Sequence, residues 1–260
     1  MRRFSTVLTA ALMTIGASQA AAQTQTPAGV PPAAGRITVF LNGGFQVASQ
    51  DVSRTSTFEL YDEQARIDFL QDDVEGGGFF EIGGAYRFGE RLGAGLSFMR
   101  VTSDGSSASN GSIPHPLLFD TFRTFSVSAD GLEHKENILH LFATWSMPVT
   151  ETFDVTFSAG PSIFNITQGF IRTVNFTEAP PFTTVNVDRI EIESRDESAI
   201  GFNIGADGIY SVGNFSGADL GVGANVRYSW GKADFDVAAG DELSVKGGGF
   251  QIGGGVRVRF

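Results

Sequence analysis

The feature that most restricts this chain is a rhythm of two. In its last stretch, 247–260 (GGGFQIGGGVRVRF), Phe250, Ile252, Gly254, Val256, Val258 and Phe260 alternate with Gln251, Gly253, Gly255, Arg257 and Arg259. Successive side chains of an extended strand point to opposite faces, so this is a strand with one greasy side and one polar side. The rhythm recurs seven more times. Its apolar sets are Ile37, Val39, Leu41, Phe45 and Val47; Phe80, Ile82, Tyr86 and Phe88; Leu92, Ala94, Leu96 and Phe98; and Leu139, Leu141, Ala143, Trp145 and Met147. They continue as Phe153, Val155, Phe157 and Ala159; Ile200, Phe202, Ile204, Ala206, Tyr210 and Val212; and Ala218, Leu220, Val222, Ala224, Val226, Tyr228 and Trp230. No charged residue falls in any of these sets, although 18% of the chain is charged.

That exclusion separates two solvents. A charge facing lipid at mid-depth costs about 2–4 kcal/mol, so hydrocarbon would impose it. Between the eight strands the connections alternate long and short: 50–75, 89–90, 102–135, 148–152, 165–197, 213–214 and 231–246. Gly89-Glu90 and Gly213-Asn214 read as tight turns. The long segments read as loops. Segment 50–75 is acidic, 102–135 is rich in Ser, Asn, Gly and Pro, and 165–197 itself alternates and is expected to continue as a hairpin. Two aromatic girdles follow, Tyr86, Phe88, Phe153, Tyr210 and Phe260 at one rim and Phe98, Tyr228, Trp230 and Phe250 at the other.

Composition agrees with alternation rather than buried blocks: 33 Gly and 24 Phe stand in a chain of mean hydropathy +0.02. No run approaches the roughly 18–20 apolar residues of a membrane helix, which leaves a membrane barrel open. With no cysteine, disulfides and thiolate chemistry are excluded. Arg2, Arg3, an apolar run from Val7 to Ala17 and Ala20-Ala21-Ala22 predict a secretory signal over 1–22, cleaved after Ala22. Segment 23–35 is expected to be a disordered leader, and 36–260 the folded domain. Losing Arg2 and Arg3 takes the formal charge from −11 to about −13, which argues against nucleic acid as a partner.

A terminal phenylalanine after an alternating strand resembles the C-terminal signature of bacterial outer-membrane β-barrels. The whole mature chain is similar to the small eight-stranded barrels of the OmpA/OmpX type. The resemblance implies an all-β fold, an eight-stranded antiparallel up-and-down transmembrane barrel in the cell outer membrane. It implies long loops outside the cell and both termini in the periplasm. Its partners would be outer-membrane lipid and lipopolysaccharide. The barrel-assembly machinery would read the C-terminal strand through Phe260, and the barrel would be a monomer.

Parity puts Glu81, Asp154, Asp207 and Asp219 inside the barrel with Arg87, Arg227, Arg257 and Arg259. Four charges of each sign balance. An eight-stranded interior is just wide enough to be filled by side chains, so a packed network of ion pairs is expected. Inward glycines such as Gly223 and Gly255 leave room for the arginines, and Asp219 should lie beside Arg257 or Arg259. The competing reading of the same residues is a narrow channel for ions or small solutes. No catalytic, cofactor or metal site is expected. His115 and His134 read as loop or boundary residues, His140 points inward near Asn203 or Ser158, and no Ser/His/acid spacing stands out. The acidic segment 50–75 is a candidate for divalent cations or for a plain solvated loop. The aromatic stretch 113–125 (IPHPLLFDTFRTF) is a candidate contact surface or a cap on the barrel mouth.

Overall fold

The computed structural model describes residues 36–47, 52–71, 76–237 and 241–260. The signal and leader expected over 1–22 and 23–35 lie outside these residues. The strands are β1 (Ile37–Val47), β2 (Val52–Leu60), β3 (Glu63–Gln71), β4 (Gly78–Arg87), β5 (Leu92–Pro114), β6 (Phe122–Pro148), β7 (Phe153–Thr177), β8 (Asn186–Phe215), β9 (Ala218–Val237) and β10 (Asp241–Arg259). Eight of them close antiparallel in the order β1-β4-β5-β6-β7-β8-β9-β10, with β10 returning to β1. Closure leaves no edge in the ring, so its backbone groups pair with one another. At the seam Phe260 donates its N–H to Ile37 (2.9 Å), and its carbonyl accepts from Arg36 (2.6 Å).

The apolar sets face outward. Phe45 is 67% exposed, Ile252 54% and Phe260 59%, while the inward Glu81 and His140 are fully buried. Aromatic pairs brace this outer wall across the ladder, Trp145 on Phe157 with ring centroids 5.9 Å apart and Phe202 beside Trp230 at 6.0 Å. Beyond Phe98, Leu139 and Trp230 the rhythm inverts. Inward positions turn apolar (Val101, Ile138, Ile166, Ala233, Phe235, Val245), and outward ones turn polar, such as Asn137 and Lys135. There water replaces lipid outside, and the strands run on as a conventional half-buried sheet.

This inversion corrects two expected loops: segments 102–135 and 231–246 are mostly strand, because β5, β6, β9 and β10 continue well past the apolar belt. Asp104, Ser106 and Asn110 lie on the solvated face of the β5 extension, while Ser107, Ser109 and Arg123 point inward. Segment 165–197 does continue as a hairpin, of β7 and β8, in line with its own alternation. The acidic segment 50–75 is corrected too. Its described part, 52–71, is the β2–β3 hairpin, turning at Tyr61-Asp62 with φ 56° and 59°, and it pairs onto the far end of β5 from Arg66↔Ser112 to Leu70↔Ala108. A fourth correction moves a turn. β8 meets β9 at Ser216-Gly217 (φ 54° and 88°) instead of Gly213-Asn214, and the ladder slips one residue between Ser211 and Gly213.

Above the belt the extensions make a sandwich with its own core. Ala65, Ile67, Ile113, Phe125 and Ala129 from the β3–β5–β6 sheet meet Ile171 and Val174 of β7. A separate apolar cluster of Phe79, Met99, Val101, Ile138, Phe164 and Ile166, with Phe235, fills the barrel interior below it.

Candidate functional site

The interior of the belt is built in layers. At the rim where the short turns lie, Arg259 Nη1 donates to Asp154 Oδ2 at 2.5 Å and stands 3.9 Å from Asp219 Oδ2. Arg259 and Asp219 face each other in the β10–β9 ladder, and Ser211 donates its hydroxyl to Asp219. Arg87 lines the same end of the lumen.

One level deeper, five neighbouring strands contribute one continuous chain. Arg257, 1% exposed, grips Asp207 with Nε and Nη2, both at 2.9 Å. Its Nη1 donates to Asn42 Oδ1 at 2.6 Å. Asn42 Nδ2 donates to Glu81 Oε2 at 2.8 Å, and Arg227 closes the series by pairing with Glu81 Oε1. Both guanidinium groups also lie over phenyl faces, Arg257 over Phe40 at 5.6 Å and Arg227 over Phe142 at 5.9 Å. A forked, two-bond grip of this kind fixes orientation as well as charge. Gly223 makes room for it: a Cβ there would stand 2.9 Å from the Arg257 guanidinium.

The next level is neutral. His140 Nδ1 lies 2.8 Å from Ser162 Oγ, and Asn203 Nδ2 donates to the same hydroxyl at 2.8 Å. Asn203 also reaches the carbonyls of Gly160 (3.0 Å) and Pro161 (3.2 Å). The β6–β7 ladder pairs His140 with Ser162 and resumes only at Ala143 with Ala159. Pro161, which has no N–H to give, falls in that interval.

Above it Gln251 Nε2 joins Gln46 Oε1 (2.8 Å) to Ser229 Oγ (2.9 Å), and Gln46 reaches Glu136 at 3.3 Å. Glu136 also accepts the Gly248 N–H at 2.9 Å and lies 2.9 Å from His134 Nε2. His134 Nδ1 is 2.5 Å from Gln168 Oε1, whose orientation is set by Gln168 Nε2 donating to the Gly169 carbonyl. Both ring nitrogens of His134 thus face acceptors, which only the doubly protonated imidazolium satisfies. His134 lies above the belt, between the solvated Glu133 and Lys135. Burial works against its charge, but the Glu136 carboxylate outweighs burial and holds the ring above its ordinary value of 6.5.

Parity places all eight of the expected lumen charges on the inner wall, and the structure gathers them in two layers, Arg259, Asp154 and Asp219 at the rim where Arg87 also lies, and Arg257, Asp207, Glu81 and Arg227 deeper. It adds members that charge counting passes over: Asn42 as the bridge, and Gln46, Gln251, Ser229 and Glu136 as the upper network. Their signal in the sequence is the inward phase of their strands alone. At the rim end the lumen holds a cavity of about 90 Å³, lined by Arg87, Asp154, Arg259 and hydroxyls such as Thr38, Ser146 and Thr156. That is room for roughly half a dozen waters. Among the described residues no three His, Asp or Glu side chains gather to hold a metal ion. In the acidic hairpin Asp68 is taken by Arg66 (2.8 Å) and Thr55 (2.6 Å); Asp51, Asp72, Asp73 and Glu75 lie outside the described residues.

No protein-family model and no curated protein matches the chain. Among solved structures it is similar to Neisserial surface protein A, at 13% identity over 86% of this chain and 97% of that one, with a TM-score of 0.41. OprG from Pseudomonas aeruginosa matches at 11% identity over 87% and 97%, TM-score 0.42. Ail, the attachment invasion locus protein of Yersinia pestis, determined with the heparin analogue sucrose octasulfate, matches at 13% over 85% and 99%, TM-score 0.35. Eight closed antiparallel strands, with an apolar exterior and a packed polar interior, give this chain the fold of the small bacterial outer-membrane β-barrels.

Proposed function

We propose that the protein is a non-enzymatic outer-membrane barrel whose work is done above the membrane, by the sandwich its long hairpins build. One observation carries this reading. Strands β5 to β8 run 23, 27, 25 and 30 residues, where roughly 9–11 suffice to cross a bilayer. The excess does not trail off as loops; it closes over a second hydrophobic core. A chain that only needed to span the membrane has no use for that core. In this reading the lumen network is a plug, export uses a signal peptide cleaved after Ala22, and the closed ring is a monomer in lipid and lipopolysaccharide. The assembly machinery would meet the C-terminal strand through the exposed Phe260.

The second reading, a narrow channel, is favoured by the rim cavity with its arginines, carboxylates and hydroxyls. Planar-bilayer recording of the purified protein separates the two. A plugged lumen gives no steady unitary current; a steady current that R257M enlarges would establish the channel and overturn the plug.

A further inference from the structure

The outermost point of the β5–β6 hairpin is a seven-residue turn from His115 to Thr121, and its crest is Leu117-Leu118-Phe119. These side chains are 73%, 56% and 80% exposed and consecutive, so together they form a contiguous apolar patch. The exposure is held in place. His115 N–H donates to the Thr121 carbonyl at 2.7 Å, Leu117 N–H to His115 Nδ1 at 3.1 Å, and Asp120 N–H to Glu63 Oε1 at 2.9 Å. At its base Arg123, 7% exposed, pairs with Glu178 and donates to the Pro114 carbonyl at 2.5 Å, while Tyr61 donates to Glu178 at 2.6 Å. Three hairpin tips are therefore latched into one platform, with the apolar crest projecting from it.

We infer that this crest is an insertion finger for an opposing zwitterionic lipid bilayer, of phosphatidylcholine type. The inference rests on the surface role proposed above and names its partner. Three arguments select lipid of that kind. The crest is convex, and a fluid apolar phase receives a projecting turn without the preformed pocket a protein would have to supply. The turn's N–H groups at 115, 117 and 120 are taken within the protein and Pro116 has none, which lowers the number of donors that would enter the bilayer interface without a partner. Finally, the charges beside the crest are acidic, Asp62, Glu63 and Asp120, and the cation at its base, Arg123, is turned inward onto Glu178. Such a collar is repelled by anionic lipid and complements the outermost ammonium groups of a choline headgroup layer.

The protein's own membrane is out of reach. From Phe98 in the outer girdle to Pro114 the strand climbs about 50 Å along its length, at roughly 3.3 Å per residue. Even with a tilt of roughly 40°, the crest stands tens of ångströms clear of the belt.

The test uses the full protein in a nanodisc, mixed with phosphatidylcholine vesicles and separated by flotation. The wild type should float with the vesicles. The triple variant L117S/L118S/F119S should lose about tenfold or more of that binding, while still showing the heat-dependent gel shift of a folded barrel. In F119W the new tryptophan should shift its emission to the blue on phosphatidylcholine and be quenched by brominated acyl chains. Vesicles of phosphatidylglycerol should bind more weakly. A wild type that stays unbound, a serine triple that binds as before, an unshifted F119W, or equal binding to phosphatidylglycerol overturns the inference. None of these failures alters the conductance result, so the plug and the finger stand or fall separately.

Discussion

Arg257 shows what a buried charge inside this barrel demands. With 1% of its surface exposed, it depends on Asp207, Asn42 and the Phe40 ring to replace lost water. Removing one partner of a buried pair typically costs about 3–5 kcal/mol, because the other charge is left stranded. R257M should therefore lower the urea midpoint of the refolded barrel markedly, and R257M/D207L should recover a good part of the loss. Equal loss in single and double variants would show that the pair is incidental. G223A presses on the same guanidinium, which is pinned on three sides and cannot swing away, so it should destabilise as well. Parity alone makes Arg257 an inward residue; it does not say which carboxylate the arginine turns to. It skips its neighbour β9 and takes Asp207 on β8, because a lumen this narrow lets a long side chain reach two strands across. The Arg259–Asp219 juxtaposition was legible, since those residues face each other in adjacent strands. His134 makes a pH statement at the same scale. Its folded value is raised, so its contribution is complete below 6.5 and is lost as pH climbs through that higher value. Melting midpoints should fall over that alkaline-going window, and H134Q, which cannot titrate, should flatten the trend.

Among the elements, the β6–β7 ladder is the one that breaks a rule and repairs it. A proline in the middle of a closed sheet removes a ladder donor where no water can substitute. The Asn203 amide, reaching over from β8, comes within 3.4 Å of the carbonyl of Leu141, the β6 residue opposite Pro161, and also reaches the Gly160 and Pro161 carbonyls and the Ser162 hydroxyl. N203L should cost about 1–3 kcal/mol, the usual penalty for stranding buried polar groups, and speed amide exchange along 159–163. If N203L exchanged and melted like wild type, the repair would be an accident of geometry. The apolar rhythm of the sequence stops at Ala159, short of Pro161, and puts Asn203 inward, and nothing in a one-dimensional pattern joins the two. Strand lengths were obscured for another reason. Alternation is read by following one apolar face, and at the membrane surface that face swaps sides, so Ser106 to Asn110 in β5 look like loop although they are ladder-paired with β6. The β8–β9 turn slipped likewise. Gly213-Asn214 has the composition of a hairpin turn, yet the one-residue slip in the ladder carries it into the strand, and Ser216-Gly217 adopts the positive φ angles instead.

For the whole molecule, the consequence of two solvents is two stacked cores with different logic. Within the belt, lipid outside and ion pairs inside hold a ring that closes without help from anything above it: β1 pairs directly with β4 and with β10. Above the belt, the sandwich is an ordinary water-facing assembly, and the β2–β3 hairpin is its outermost strand pair, joined to the rest of the sheet by ladder pairing with β5. The platform at the top depends on that hairpin, because Glu63 holds the Asp120 amide and Tyr61 holds Glu178. Exchanging 50–75 for a short turn should therefore leave the barrel intact, with its heat-dependent gel shift unchanged. The same exchange should free the 115–121 turn, exposing Ala65- and Ile67-facing surface on Ile113 and Phe125, and limited proteolysis should then cut within 115–121, where the full chain resists. A barrel that fails to assemble without the hairpin would mean that the two cores fold as one unit. A turn that stays protected would mean that Arg123 and Glu178 suffice to hold it. The two-core architecture requires both halves of the result at once: closure of the ring below and loosening of the crest above.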